Sequence, residues 1–212
     1  MFDVSPLPGD PILALMAAYR ADPSDNKVDL GVGVYQDDDG ATPVLLAVTE
    51  AEQRILEAQR TKSYVGIAGL AEFNDGMTRM LLGDSHPALT AGRVTTVQTA
   101  GGSGGLRVAG ELIASLRPNA TIWVTTPTWA NHQPLLSSTG LSLKPLRYYD
   151  SAAGALDAEG FLEDVSAIPE HDVILLHGCC HNPTGADLDQ GLWQQVAKVC
   201  AERNILPFVD TA

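Results

Sequence analysis

The sequence has 212 residues, a formal net charge of -13, 45% hydrophobic residues and 18% charged ones. That balance fits a folded globular chain, and without a basic run to displace counterions from a phosphate backbone it argues against a nucleic-acid partner. No basic segment followed by an apolar core opens the chain, and no stretch approaches the roughly 20 apolar residues of a membrane helix, so a cytoplasmic protein with no membrane partner is expected. Pro6, Pro8, Gly9, Pro11 and Pro23 mark the opening stretch as an extended arm around a short helix at 12–19. Alternation over 28–35 predicts a strand closed by a turn at Asp37, Asp38, Asp39 and Gly40. From Thr42 and Pro43 the period changes: Val44, Val48, Ala51, Ile55 and Ala58 recur at steps of four and three. This predicts a packed amphipathic helix with Thr42 as N-cap and Pro43 in its first turn.

Leu70, Phe73, Met77 and Met80 repeat the helical spacing over 70–82, with the methionines as core filler. A strand at 94–98 leads into the glycine loop 101–105. The loop opens a helix whose Leu106, Ala109, Ile113 and Leu116 share one face, and Pro118 ends it. Beyond it the pattern alternates: strand 121–125, a helix near Pro134, strand 141–148, helix 157–166, strand 173–176, helix 188–203 and strand 205–209. Strands alternating with helices imply an α/β fold with a mainly parallel sheet and helices on both faces.

Chemistry gathers where these strands end. The apolar run Val173, Ile174, Leu175, Leu176 breaks into His177-Gly178-Cys179-Cys180-His181-Asn182-Pro183-Thr184-Gly185, and the last strand runs into Asp210. Ligands of open α/β sheets bind outside the carboxyl ends of the strands, so both segments are candidate site walls. His177, Cys179, Cys180 and His181 have metal-ligand chemistry, yet successive residues on a strand face opposite sides, so no metal is expected and small buried thiols are the plainer reading. Three cysteines do not make a disulfide framework. The loop Gly101-Gly102-Ser103-Gly104-Gly105, between a strand and a helix, aims backbone N–H groups at one spot and suits a small phosphate. A tight turn packed through glycine is the alternative. The position where a dinucleotide fingerprint needs its last glycine is Arg107, and no Gly-Lys pair makes a P-loop. Trp129, in a polar loop with Asn131 and His132, offers a stacking surface for a flat ring.

Six segments, taken in order, resemble the class I aminotransferases of fold type I, which use pyridoxal 5'-phosphate and act on aspartate or aromatic amino acids. They are Leu30-Gly31-Val32-Gly33-Val34-Tyr35, Lys62-Ser63-Tyr64-Val65-Gly66, Gly101-Gly102-Ser103-Gly104, Thr128-Trp129-Ala130-Asn131-His132, the segment from His177 to Gly185, and Asp210-Thr211-Ala212. The resemblance implies residues 1–42 as an N-terminal arm with part of a small domain and 43–212 as an incomplete large cofactor-binding domain. It implies Asp210, Trp129 and Asn182 as catalytic, with Asp210 facing the cofactor's ring nitrogen, Trp129 stacked on the ring and Asn182 on its phenolic oxygen. His132 would support Asp210, and Gly102, Ser103 and Gly104 would hold the phosphate. Gly33 would close over substrate, and Tyr64 would reach the cofactor of a second subunit in a homodimer. The implied substrates are a small amino acid and a 2-oxo acid.

Only Lys27, Lys62, Lys144 and Lys198 are present, and none matches the family's cofactor-linking lysine. That lysine and the arginines that hold substrate carboxylates are expected downstream of Ala212, which reads the chain as truncated. An inactive half-domain acting as a binding module is the alternative, and aspartate against aromatic preference stays open.

Overall fold

Four strands running in one direction organise the larger part of the computed structural model, which describes residues 11–29, 31 and 33–211. The chain divides into two units, Met1–Ser63 and Tyr64–Ala212. The arm expected over residues 1–10 lies outside the described residues.

The first unit holds α1 (Pro11–Ala21) and α2 (Leu46–Ala58). Between them Asp37 Oδ1 accepts the N–H groups of Asp39 and Ala41, and Gly40 takes φ 74°, which makes the expected turn. Three expectations fail here. Among the described residues of 28–35 no strand forms, and Val34 and Tyr35 are exposed; positions 30 and 32 lie outside the description. Alternation marks a face but supplies no partner strand, and a ladder needs one. The helix starts three residues later than Pro43, because proline fixes only its own φ and the chain stays extended through the N-cap Leu45, which makes no side-chain cap. No residue of α2 is buried, so its apolar stripe is uncovered within this unit rather than packed.

The second unit opens with α3 (Ala71–Leu82), α4 (Pro87–Thr90) and α5 (Gly101–Leu116). Met77 and Met80 are 40% and 74% exposed, so they fill no core here. Residues 94–98 form no strand and join no sheet; Gln98 N–H donates to Ala68 O instead. The glycines expected as a loop form the first turn of α5 itself, and Leu116 at its far end is exposed while Leu106, Gly110 and Ile113 are buried.

The rest follows the predicted alternation: β1 (Thr121–Thr126), α6 (His132–Ser137), β2 (Ser142–Arg147), the small hairpin β3 (Tyr149–Asp150) and β4 (Ala155–Leu156), α7 (Ala158–Ala167), β5 (Val173–His177), α8 (Gln190–Glu202) and β6 (Leu206–Asp210). Asp157 caps α7 through Gly160 N–H and Asp189 caps α8 through Leu192 N–H. The sheet order is β2-β1-β5-β6, all parallel. Period-two alternation on β5 feeds two cores. Ile174 and Leu176 pack with Phe161, Val165, Val196 and Cys200 of α7 and α8, while Val173 and Leu175 pack with Ile113 and Leu136 of α5 and α6. Helices therefore cover both faces. The chain steps from β1 outward to β2, then returns across the sheet to β5 and β6, so the strand order reverses between β1 and β5. Such a reversal opens a crevice at the carboxyl edge.

Candidate active site

Register brings the strand ends level. His177 on β5 lies opposite Asp210 on β6, and Gly178 N–H donates to Asp210 O at 2.7 Å. A side chain at 178 would meet Thr211 Oγ1 at 2.6 Å, so this crossing requires glycine. A cavity of about 320 Å³ lies at this edge, its wall built from Gly102 and Leu106 of α5, Trp129 after β1, Cys179, Cys180 and Asn182 after β5, and His177, Asp210 and Thr211. Three loops far apart in sequence thus meet at one point.

Asp210 is held from behind. His132, wholly buried at the start of α6, places Nε2 at 2.9 Å from Asp210 Oδ2. Its Nδ1 is 2.7 Å from Thr128 Oγ1, which lies 3.2 Å from His177 Nε2. Asn182 N–H donates to His177 Nδ1 at 3.1 Å. These bonds form one continuous line. Burial and then the neighbouring His132 pull the His177 imidazole below its ordinary pKa and keep it neutral. Its Nδ1 is an acceptor, so Nε2–H donates to Thr128. The Thr128 hydroxyl in turn meets His132 Nδ1, and His132 Nε2 meets Asp210. The cavity wall at Asn182 is therefore tied to the carboxylate by a continuous line of hydrogen bonds.

A second histidine layer supports the first. The His181 ring stacks between Tyr148 and His177, at centroid distances of 4.1 and 4.2 Å. It meets Thr125 Oγ1 at 3.0 Å and Thr184 Oγ1 at 2.8 Å. Burial, aided by His177, lowers its pKa to about 4. The N–H groups of His181 and Cys180 hold the Asp187 carboxyl below the usual carboxylate range.

At the opposite wall the first N–H groups of α5 have no intrahelical partner by the geometry of any helix start, and no side chain caps them. Open space surrounds the position a Cβ would take at Gly102. With the N-terminal end of the helix dipole this offers donors and room to an anion.

The predicted residues separate as follows. Gly102, Trp129, Asn182 and Asp210 line the cavity, and His132 stands directly behind Asp210. Ser103 and Gly104 share the first turn of α5 with Gly102 without lining the cavity. Tyr64 is fully exposed in the second unit, and Gly33 is exposed in the first. Sequence reasoning missed Thr128 and Thr211, and it cast His177, Cys179 and Cys180 as metal-like or buried residues rather than cavity wall. Cys179 is half-buried and Cys180 exposed, because β5 has already ended before them. Among the described residues no group of three or more His, Cys, Asp and Glu side chains could hold a metal ion, and no helix is long and apolar enough to cross a membrane.

The family model for class I and II aminotransferases matches residues 25–212. The chain is 47% identical to an aromatic-amino-acid aminotransferase of Pseudomonas aeruginosa, over 99% of this chain and 52% of that protein. It is 42% identical to an aspartate aminotransferase of Haemophilus influenzae, over 100% of this chain and 54% of the relative. Among solved structures it superposes with a TM-score of 0.95 on an aromatic amino acid aminotransferase from Burkholderia cenocepacia, at 40% identity, covering 99% of this chain and 53% of that one. A second, from Burkholderia pseudomallei and described as covalently bound to pyridoxal phosphate, gives 0.94 at 38% identity over 99% and 53%. The chain spans about half the length of the curated relatives it matches.

Proposed function

Because this chain belongs to the class I and II aminotransferase family, we propose that the protein carrying it transfers an amino group between an amino acid, aspartate or aromatic, and a 2-oxo acid such as 2-oxoglutarate. Pyridoxal 5'-phosphate is the proposed cofactor. When bound it supplies an aldehyde that links to amino groups and a ring that withdraws electrons. The observation that carries this reading is the His132–Asp210 pair at 2.9 Å, presented at a cavity that also holds Trp129, Asn182 and the start of α5.

The residues fit the group by charge and shape. Asp210 turns a carboxylate toward the cavity and would hold a proton on a pyridine nitrogen, while His132 at 2.9 Å keeps that carboxylate oriented. Trp129 would lie on the ring face, and Asn182 would donate its amide to the phenolic oxygen. Gly102, Ser103 and Gly104 would take the phosphate through their backbone N–H groups, with the Ser103 hydroxyl adding a further donor. No lysine lines the cavity: Lys144 lies over the Trp123 ring and Lys198 pairs with Glu202 on α8. The covalent hold on the aldehyde, and the substrate's carboxylate partners, are therefore proposed to come from outside these residues.

We further propose a homodimer in which exposed Tyr64 reaches the second subunit's cofactor phosphate, a cytoplasmic location, and Gly33 closing over substrate. Residues up to 42 belong in this reading to the arm and part of the small domain, and the remainder to the large cofactor domain. The test is amino transfer from aspartate and from phenylalanine to 2-oxoglutarate by the protein that carries this chain. Turnover with either donor, abolished in D210A, supports the proposal. Absence of transfer with both, in protein that retains bound pyridoxal phosphate, favours the binding-module alternative.

A further inference from the structure

On a strand, Cys179 and Cys180 would point to opposite faces of the sheet. β5 ends at His177, however, and the next residues form a bend in which Cys180 adopts φ 51°, a left-handed conformation rare outside glycine. The bend is fastened by Asp187, whose Oδ2 and Oδ1 accept the N–H groups of Cys180 and His181 at 2.9 and 2.7 Å. Both cysteines consequently line the same cavity, beside Trp129 and Asn182. We propose that Cys179 and Cys180 form a vicinal dithiol site that chelates a monosubstituted trivalent arsenical.

The ligand class follows from what the site supplies. Thiols select soft acceptors, and two sulfurs plus one carbon substituent satisfy a three-coordinate arsenic(III) centre. A tetrahedral metal needs more: among the described residues no three His, Cys, Asp and Glu groups assemble for one. The His177 and His181 ring nitrogens are already bonded to Thr128, Asn182, Thr125 and Thr184. With phenylarsine oxide the step balances without oxidation or reduction. Two S–H bonds and the arsenic–oxygen double bond break, two arsenic–sulfur bonds form, and the two thiol protons leave with the oxygen as one water. The phenyl group has about 320 Å³ of cavity beside Trp129 to occupy. The neighbouring Cys180 raises the Cys179 pKa, which favours the thiol form of Cys179. That disfavours attack by one thiolate on an alkylating agent while leaving the two-thiol condensation open. The adduct would obstruct the space that Asp210 faces.

The test uses the whole chain, reduced with a phosphine, treated with phenylarsine oxide and read by intact mass. We expect one adduct heavier by phenylarsine oxide less one water, released by 2,3-dimercaptopropanol but surviving the same concentration of 2-mercaptoethanol. C200S, which alters a core thiol on α8 that is 4% exposed, keeps this adduct. C179S and C180S each lose it. Absence of a monothiol-resistant adduct in the unaltered chain, or its persistence in C179S or C180S, overturns the proposal. The readout needs no pyridoxal phosphate, so its failure is separate from failure of the proposed transamination.

Discussion

Acid should destabilise the second unit through His181. This ring is 2% exposed, stacked between Tyr148 and His177, and its pKa falls from 6.5 to about 4 on folding. Between those two values the unfolded chain binds the extra proton and the folded chain does not. Stability contributed by the neutral ring is therefore complete above about pH 6.5 and is lost as the pH falls toward 4. At about 1.4 kcal/mol per pKa unit the loss approaches 3 kcal/mol, with the opposing effect of Asp187 already contained in the shift. His177 is lowered in the same direction by burial and His132, with Asp210 and Asp187 opposing, so it adds to the slope. The assay is urea unfolding at a series of pH values for the unaltered chain and H181Q. The difference between the two should shrink by about 2–3 kcal/mol from pH 7 to pH 4. A constant difference would show that His181 is not kept neutral by its surroundings, and the reasoning would fall.

T128V should remove the hydroxyl that joins His177 Nε2 to His132 Nδ1 and destabilise by about 1–3 kcal/mol by leaving both nitrogens unpaired; T128S should restore the loss, and equal stability of T128V and the unaltered chain would refute the line of bonds. G160A should destabilise by at least about 1 kcal/mol in denaturant titration, since a Cβ there would sit 2.2 Å from Asp157 Oδ2 and break the cap of α7. Should G160A prove neutral, Asp157 does not cap the helix. The 212-residue chain alone, given pyridoxal phosphate, aspartate and 2-oxoglutarate, should show no amino transfer by coupled assay because no lysine lines its cavity. Measurable turnover would contradict that reading.

The sheet was legible because its strands carry their own signal. Val173 to Leu176 is an uninterrupted apolar run that only a two-faced core would bury. What local pattern lacks is the partner. Residues 28–35 alternate as strands do and 94–98 are expected as a strand, yet the described part of the first and all of the second join no ladder. The stripe on α2 has the right period and nothing in its unit to cover it. The site divides in the same way. Asp210, Asn182 and Trp129 could be picked out by their places after strands, since the carboxyl edge of a parallel sheet gathers such ends. The line from His177 through Thr128 and His132 to Asp210 spans sequence separations of 49, 4 and 78 residues; the family resemblance implied its last pair, His132 with Asp210, and no local spacing revealed the rest. Cys180 misled for another reason: its left-handed backbone is imposed by the Asp187 bonds, not by its residue type.

The most direct test of the central claim, that this cavity receives a phosphorylated pyridine ring, is a tryptophan-emission titration with pyridoxine 5'-phosphate. This ligand keeps the ring and phosphate but has no aldehyde to react with surface lysines. Trp129 lines the cavity, whereas Trp123 and Trp193 pack against the core on the other side. The account predicts saturable quenching that disappears in W129F and weakens in S103A. Unchanged emission, or quenching that persists in W129F, would contradict it.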